Sequence, residues 1–247
     1  MQPMQHLEFA DYNDHIAGID FLEEPQTIYK DELRSGYFIQ NLRGDTIDTW
    51  ISWNVVGDDL FHVHLQDSPE VTDRLQQAVV DVIMSDDSFL IDDSEQHKGP
   101  KGTVSRYYLG WQGALNSIDA NTERDIPKNL HFHVTDKCEG NVIIYLKNYA
   151  SADGFSGFTN SIVDESNNQI LKSTITIYDV DSLSAEGFKT ILRHELGHSF
   201  GLAHSTAQED LMHPVILTNY PYISDCTLDG IIHLYDNNDE SSVVCDK

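Results

Sequence analysis

The segment 194–204, HELGHSFGLAH, places three histidines, a glutamate and a glycine at defined intervals. His194 and His198 are four residues apart, so on an α-helix of 3.6 residues per turn their rings lie side by side. Two such imidazoles can bind one Zn²⁺ through bonds of about 2 Å, while the adjacent Glu195 reaches a water molecule on the open side. This spacing predicts a metal site with a carboxylate beside it.

A third ligand needs a change of chain direction, because one helix cannot supply it at the required angle. Gly201 can adopt a positive φ without steric cost, and His204 follows it closely. A histidine pair alone is more often a surface feature, and a glycine near a helix end is usually only a cap. Here all five positions of the pattern HExxHxxGxxH are present together, which favours a catalytic zinc site.

A helix must carry this motif, and the stretch AEGFKTILRHELGHSF predicts one. Ser182 or Ser184 can cap its amino terminus, where Asp181 and Glu186 suit the helix dipole. One apolar residue recurs at every fourth position and forms a single row: Phe188, Leu192, Leu196 and Phe200. The histidines lie about 200° from this row, so we expect them to face away from the core.

Further residues after the histidines resemble those of one enzyme family. Met212 stands in DLMHPV, eight residues after His204, with Pro214 two residues beyond it. Ser205 directly follows the third histidine, and TLDGIIHLYD at 227–236 is similar to a terminal helix. In these features the chain resembles the metzincin zinc endopeptidases, and within that clan the matrixins.

The resemblance implies an α+β, metzincin-like catalytic domain. Its twisted, mixed five-stranded sheet would pack against an active-site helix and a C-terminal helix. It implies one catalytic Zn²⁺, a general base and a methionine turn beneath the metal. The residues in these roles would be the ligands His194, His198 and His204, the base Glu195 and the structural Met212. The expected reaction is hydrolysis of protein or peptide substrates by a metal-activated water.

Two departures from the matrixin pattern concern additional ions and latency. The histidines and aspartates that hold the matrixin structural zinc have no clear counterparts in the loop between the later strands, ADGFSGFTNSIVDESNNQILKS. No matrixin-type cysteine-switch motif precedes the catalytic region. Calcium remains a candidate ion, because paired aspartates recur along the chain.

The chain divides into an acidic N-terminal segment and a catalytic domain. Residues 1–44 show little regular hydrophobic pattern. They could be regulatory, with an aspartate covering the zinc, although an acidic segment of this kind is usually only solvated. Residues 45–247 form the predicted domain, with an upper part to about 204 and a lower part at 205–247. Within it the patterning predicts strands at 61–65, 130–134, 141–146 and 173–179, and helices at 68–84 and 105–118.

Two of these strands, FHVHL and LHFHV, each place two histidines on one face. If the strands are neighbours, as the matrixin pattern implies, His62, His64, His131 and His133 could form a second metal site. The alternative is a row of polar residues on a solvated sheet face, since spacing by two follows from strand geometry alone.

Charge and hydropathy exclude two classes of partner. Fifteen Lys and Arg stand against 41 Asp and Glu, which gives a net charge of −26 that repels nucleic acid. No apolar run is long enough to span a membrane, and the first residues lack the basic and apolar regions of a signal peptide. The resemblance nevertheless implies a secreted or cell-surface enzyme.

The three cysteines are not spaced as in a zinc ribbon or a redox motif. Cys226 and Cys245 could form a disulfide in an oxidising compartment, leaving Cys138 unpaired, but buried thiols fit the sequence equally well.

The main alternative function is a metal-dependent peptide-binding protein with little catalysis, against which the intact Glu195 argues. By resemblance, a substrate would pair with an edge strand somewhere in 155–172. The segment 213–222 would wall the adjacent pocket, where Tyr220 and Tyr222 either contact substrate or pack in the core.

Overall fold

The computed structural model describes residues 45–57, 59–95, 101–137, 139–216, 221–237 and 240–245, together with the backbone of residues 9 and 10. Its strands are β1 (Phe9–Ala10), β2 (Thr46–Thr49), β3 (Phe61–Gln66), β4 (Ser88–Asp92), β5 (Val104–Tyr108), β6 (Leu130–Thr135), β7 (Val142–Leu146), β8 (Gly157–Asp164), β9 (Gln169–Ile177), β10 (Leu202–Ser205), β11 (Ile223–Ser224) and β12 (Ser241–Val244). Its helices are α1 (Asp73–Met84), α2 (Trp111–Asn116), α3 (Ala185–Ser199) and α4 (Asp225–Asn237). This mixture of helices and strands confirms the α+β class.

The principal sheet is mixed, as predicted. Five strands follow the order β8-β9-β7-β3-β6, and the two-residue β1 extends the sheet beyond β8. Strands β9, β7, β3 and β6 run parallel to one another, whereas β8 pairs with β9 in antiparallel fashion. Strand β7 lies inside the sheet between β9 and β3, and β6 is an edge strand among the described residues.

Helices α1 and α3 cover the same face of this sheet. They contact one another, α1 also contacts β6, and α3 contacts β8 and β9. Alternation along β3 sends Phe61, Val63 and Leu65 into the core beneath them, where each is fully buried. None of the helices in the described ranges is long and apolar enough to cross a membrane.

Two predicted helices differ from the structure. The first begins at Asp73 rather than near Ser68, because Thr72 is the cap and its hydroxyl accepts a hydrogen bond from the Leu75 amide. The second, predicted at 105–118, is a strand followed by a short helix. Burial along β5 alternates from Val104 to Tyr107, with Ser105 and Tyr107 inside, and β5 pairs with β4 in antiparallel fashion.

A small antiparallel sheet lies beneath the motif helix. Strand β2 is its centre, flanked by β10 and β12. A disulfide between Cys226 at the start of α4 and Cys245 after β12 fastens this sheet to the helix. The disulfide interpretation of this pair is therefore confirmed over the two-thiol interpretation, while Cys138 lies outside the described residues.

Candidate metal centre and active site

Helix α3 positions the first part of the motif. Its cap is Ser184, whose hydroxyl oxygen accepts a hydrogen bond from the Gly187 amide at 3.0 Å. The apolar row predicted from the sequence is present and is almost completely buried: Phe188, Leu192, Leu196 and Phe200. Trp53 and Trp111 donate their indole N–H groups to main-chain oxygens of this helix, which fixes it further. The helix is thus rigidly held on its core side.

His194 and His198 lie side by side on the opposite face of α3. Their ring centroids are 4.5 Å apart, and their Nε2 atoms approach to 2.9 Å. This face is not open to solvent, since His194 is 0% and His198 6% exposed. The histidines thus lie opposite the apolar row, as expected, but they are buried because the chain after the helix folds back over them.

Gly201 makes the turn that the sequence predicted. Its φ is +98°, and any side chain at this position would collide with the carbonyl oxygen of Ile51. Strand β10 then carries His204 back, so that its ring centroid lies 5.7 Å from that of His194 and 5.2 Å from that of His198. Each of the three histidines offers a ring nitrogen, and these nitrogens lie within 4.8 Å of one another.

Main-chain carbonyls orient two of the rings. His194 Nδ1 donates to the Leu211 oxygen at 2.8 Å, and His198 Nδ1 donates to the Leu202 oxygen at 2.9 Å. With Nδ1 protonated and engaged, each Nε2 keeps its lone pair and faces the shared centre. Three imidazoles in this arrangement form a donor set that suits Zn²⁺ and leaves a fourth position for water or substrate.

Met212 lies directly under α3. It is fully buried, and its sulfur touches Gly197, where no side chain larger than hydrogen would fit. The Met212 oxygen accepts a hydrogen bond from the Ser205 amide at 2.9 Å, which joins this turn to the end of β10. The methionine thus packs against α3 at the residue that precedes His198, and its structural role beneath a metal remains a prediction.

Asp210 secures the methionine turn, a function that sequence reasoning missed. Its carboxylate is buried and accepts hydrogen bonds from the Met212 amide at 2.8 Å and from the Ser224 hydroxyl at 2.9 Å. In the sequence, the one sign of this role is that Asp210 stands two residues before Met212. Its other partner, Ser224, lies on β11 and could not be recognised from the spacing.

Glu195 points toward strand β8 and is 1% exposed. The Thr159 hydroxyl donates to its Oε2 at 2.5 Å, and the same hydroxyl oxygen lies 3.1 Å from the Glu195 main-chain oxygen. Gly157 lies against the other carboxylate oxygen. Sequence reasoning missed both β8 residues, although the glycine-rich stretch before the strand hinted at a close approach.

The segment that was expected to wall a substrate pocket is described only in part. Tyr220 lies outside the described residues. Tyr222 packs against Phe89 and over the guanidinium of Arg193, with ring-to-ring and ring-to-cation distances of 4.9 Å. Burial lowers the pKa of Arg193, and Tyr222 partly opposes this effect. The observed contacts of Tyr222 are therefore packing contacts.

Comparison with known proteins gives one family match. A family model described as matrixin matches residues 90–236, which is more than half of the chain. The match includes the whole histidine motif and Met212, and it begins within β4. A search of curated proteins finds no match.

Proposed function

The chain belongs to the matrixin family of zinc-dependent metallopeptidases, and from this premise we propose that it is a zinc endopeptidase with Glu195 as its general base. One observation carries the proposal: the ring nitrogens of His194, His198 and His204 lie within 4.8 Å of one another, and Glu195 directly follows the first of these histidines on α3. The donor set, the carboxylate and an open coordination position are the three components that metal-assisted hydrolysis requires.

In this proposal the three histidines hold the metal through the ring nitrogens that face one another. Bound zinc would polarise the scissile carbonyl and lower the pKa of a water molecule toward neutrality. The Leu202 and Leu211 carbonyls keep the tautomers of His198 and His194 correct for binding. These contacts preorganise the site, so little reorientation is needed when the ion enters.

Glu195 would take a proton from the attacking water and return it to the leaving amine. Its burial excludes competing water, and the Thr159 hydroxyl restrains one carboxylate oxygen. A carboxylate held in this way loses little entropy on reaching the reactive geometry. This fixed orientation supports a role in proton transfer rather than a purely structural role.

An extended peptide substrate would pair with β8, the strand that also carries Gly157 and Thr159. Among the described residues, β1 pairs on the outer edge of β8 only with Ser161 and Ile162. No described strand pairs with the outer edge of the β8 residues nearest Glu195, and this edge suits β-augmentation. The segment 213–222 would wall the adjacent pocket, as the resemblance implies.

We further propose that the enzyme works outside the cytoplasm, on the cell surface or after secretion. The family is generally extracellular, and a Cys226–Cys245 disulfide is stable in an oxidising environment. Calcium binding also remains a proposal; within the described ranges the residue clusters that could hold a metal consist of histidines.

Residues 1–44 are proposed to regulate the enzyme. The supporting observation is that Phe9–Ala10 pairs with β8, the strand assigned to substrate. The suggested zinc-covering aspartate lies outside the described residues. Removal of residues 1–44 should raise the initial rate of casein cleavage, and an unchanged rate would exclude regulation.

Metal removal tests the proposed activity against the peptide-binding alternative. The purified chain should cleave casein, lose cleavage after dialysis with a chelator, and regain it when Zn²⁺ is restored. A peptide-binding protein would instead retain labelled casein in a zinc-dependent manner without producing fragments. Intact casein at all zinc concentrations, with zinc bound and casein retained, would overturn the endopeptidase proposal in favour of that alternative.

A further inference from the structure

A second group of histidines lies on the face of the sheet opposite α1 and α3. Strands β3 and β6 pair in parallel with His62 opposite His131 and His64 opposite His133. The intervening residues, such as Val63, point into the core. The two strands therefore bring four imidazoles together on the outer face, at the end of the sheet away from β8 and β9.

Three of these rings meet closely enough to share one ion. His62, His131 and His133 each offer a ring nitrogen, and these nitrogens lie within 4.8 Å of one another. His131 Nδ1 and His133 Nε2 approach to 2.7 Å, much as the Nε2 atoms of His194 and His198 approach to 2.9 Å in the active site. At such a distance at least one nitrogen of each pair must present a lone pair.

His64 flanks the cluster from beneath. It is buried, and Gly140 packs against its ring. A Cβ added to Gly140 would lie 3.1 Å from His64 Nδ1. Although the Glu139 main chain lies close to the ring, neither ring nitrogen of His64 makes a hydrogen bond of normal geometry within the described part of the chain. Its ring centroid lies 5.2 Å from that of His133, so a fourth imidazole is within reach.

We propose that His62, His131 and His133 bind a second divalent transition-metal ion of the zinc class, which links the edge strand β6 to β3. Imidazole donors select zinc, copper or nickel over calcium and magnesium. Small ring rotations suffice, because nitrogens bound to one ion lie about 3 to 4 Å apart when each bond is about 2 Å. The net charge of −26 also draws divalent cations toward the surface.

The site would stabilise the sheet rather than take part in hydrolysis. An ion that binds the folded state alone raises the free energy of unfolding in proportion to the logarithm of its concentration over its Kd. In the described part of the chain, strand β6 pairs with β3 alone. A metal bridge to β3 would therefore supply support that a central strand receives from neighbours on both sides.

Zinc stoichiometry tests the proposal directly. Metal-free full-length protein is titrated with Zn²⁺ alone and bound metal is counted by elemental analysis after removal of excess ion. We expect two zinc ions per chain. The double variant His62→Gln, His131→Gln should bind one and still cleave casein, because both residues lie on β3 and β6, whereas α3 with Glu195 packs on β8 and β9. His233→Gln, an α4 variant outside both clusters, should bind two.

A variant that lacks the active-site histidines instead controls for loss of zinc through misfolding. His194→Gln with His198→Gln should lose the active-site ion and retain one zinc, and adding the His62 and His131 changes should remove it. A single zinc per wild-type chain would overturn the proposal, as would two zinc ions in the His62, His131 variant. Both results concern metal count, so they do not depend on whether the protein proves to be a peptidase.

Discussion

Gly157 of β8 lies against the carboxylate of Glu195, so closely that a Cβ at position 157 would be 2.5 Å from Oε1. The same added atom would be 2.7 Å from a methyl carbon of Ile191 on the same helix. A glycine here lets the edge strand and the active-site helix approach with the carboxylate between them. The orientation of Glu195 therefore depends on a residue 38 positions earlier in the chain.

Gly157→Ala is expected to displace the Glu195 carboxylate. Misplacing a catalytic group by about 1 Å costs on the order of 10²-fold in rate, so kcat should fall by about that factor while bound zinc stays unchanged. Steady-state cleavage of a peptide substrate, with zinc quantified in parallel, measures both. Ser156→Ala is the matched control on the neighbouring position. A Gly157→Ala enzyme with wild-type kcat would contradict this role.

Thr159→Val removes the hydroxyl that donates to Glu195 while keeping the branched shape. A hydrogen bond to a charged group contributes about 1.5 to 3 kcal/mol, which corresponds to a decrease in kcat of roughly tenfold or more. Thr159→Ser retains the hydroxyl and should stay near the wild-type value. Equal loss in the valine and serine variants would show that packing, not the hydrogen bond, matters at this position.

Met212→Ala should destabilise the fold and weaken zinc binding together. The side chain is fully buried under Gly197, and truncation of a buried methionine costs about 2 to 5 kcal/mol. Met212→Leu nearly preserves volume and should cost less than about 1.5 kcal/mol. Urea unfolding of the zinc-loaded variants gives the free energies. If alanine proved as stable as leucine, Met212 would not support the site.

The ion pair of Asp81 with Lys189 should make stability depend on acid pH. Burial alone would raise the pKa of Asp81, but hydrogen bonds from Lys189, at 2.7 Å, and Gln77 outweigh it and lower the pKa. A lowered folded-state pKa adds stability above the ordinary value of 3.8, and this is lost as pH falls through the folded-state pKa.

Asp81→Asn should therefore reduce the free energy of unfolding at pH 7 by up to about 1 kcal/mol, a small value because the pair is partly exposed. The difference from wild type should shrink as the pH drops below 3.8. Denaturant unfolding at several pH values measures it, with Asp86→Asn as the charge-matched control. A difference that grows in acid would have the wrong sign for this pair.

The sequence predicted the active-site helix well because the determinants of this helix are local. The apolar row from Phe188 to Phe200, the Ser184 cap and the Gly201 turn all lie within one continuous segment. Strands β3, β6 and β7 could also be predicted from the sequence, since alternating or unbroken apolar residues mark them. The histidine pairs on β3 and β6 also followed from strand geometry, although their convergence required the observed register.

The remaining features depend on distant partners, which spacing cannot show. Residues 104–108 resemble a helix in their apolar spacing, yet pairing with β4 makes them a strand. Thr159 meets Glu195 across 36 residues, and Asp210 meets Ser224 across 14. The burial of His194 and His198 depends on the chain returning over them through Leu202 and Leu211. Tertiary contact decides each of these cases.

The most direct test of the account compares Glu195→Gln with Glu186→Gln, an exposed glutamate in the first turn of the same helix. Casein cleavage and bound zinc are measured on both variants and on the wild type. We predict that Glu195→Gln keeps its zinc but cleaves on the order of 10² to 10⁴ times more slowly, whereas Glu186→Gln matches the wild type. Wild-type cleavage by zinc-loaded Glu195→Gln would contradict the central claim that this carboxylate is the general base.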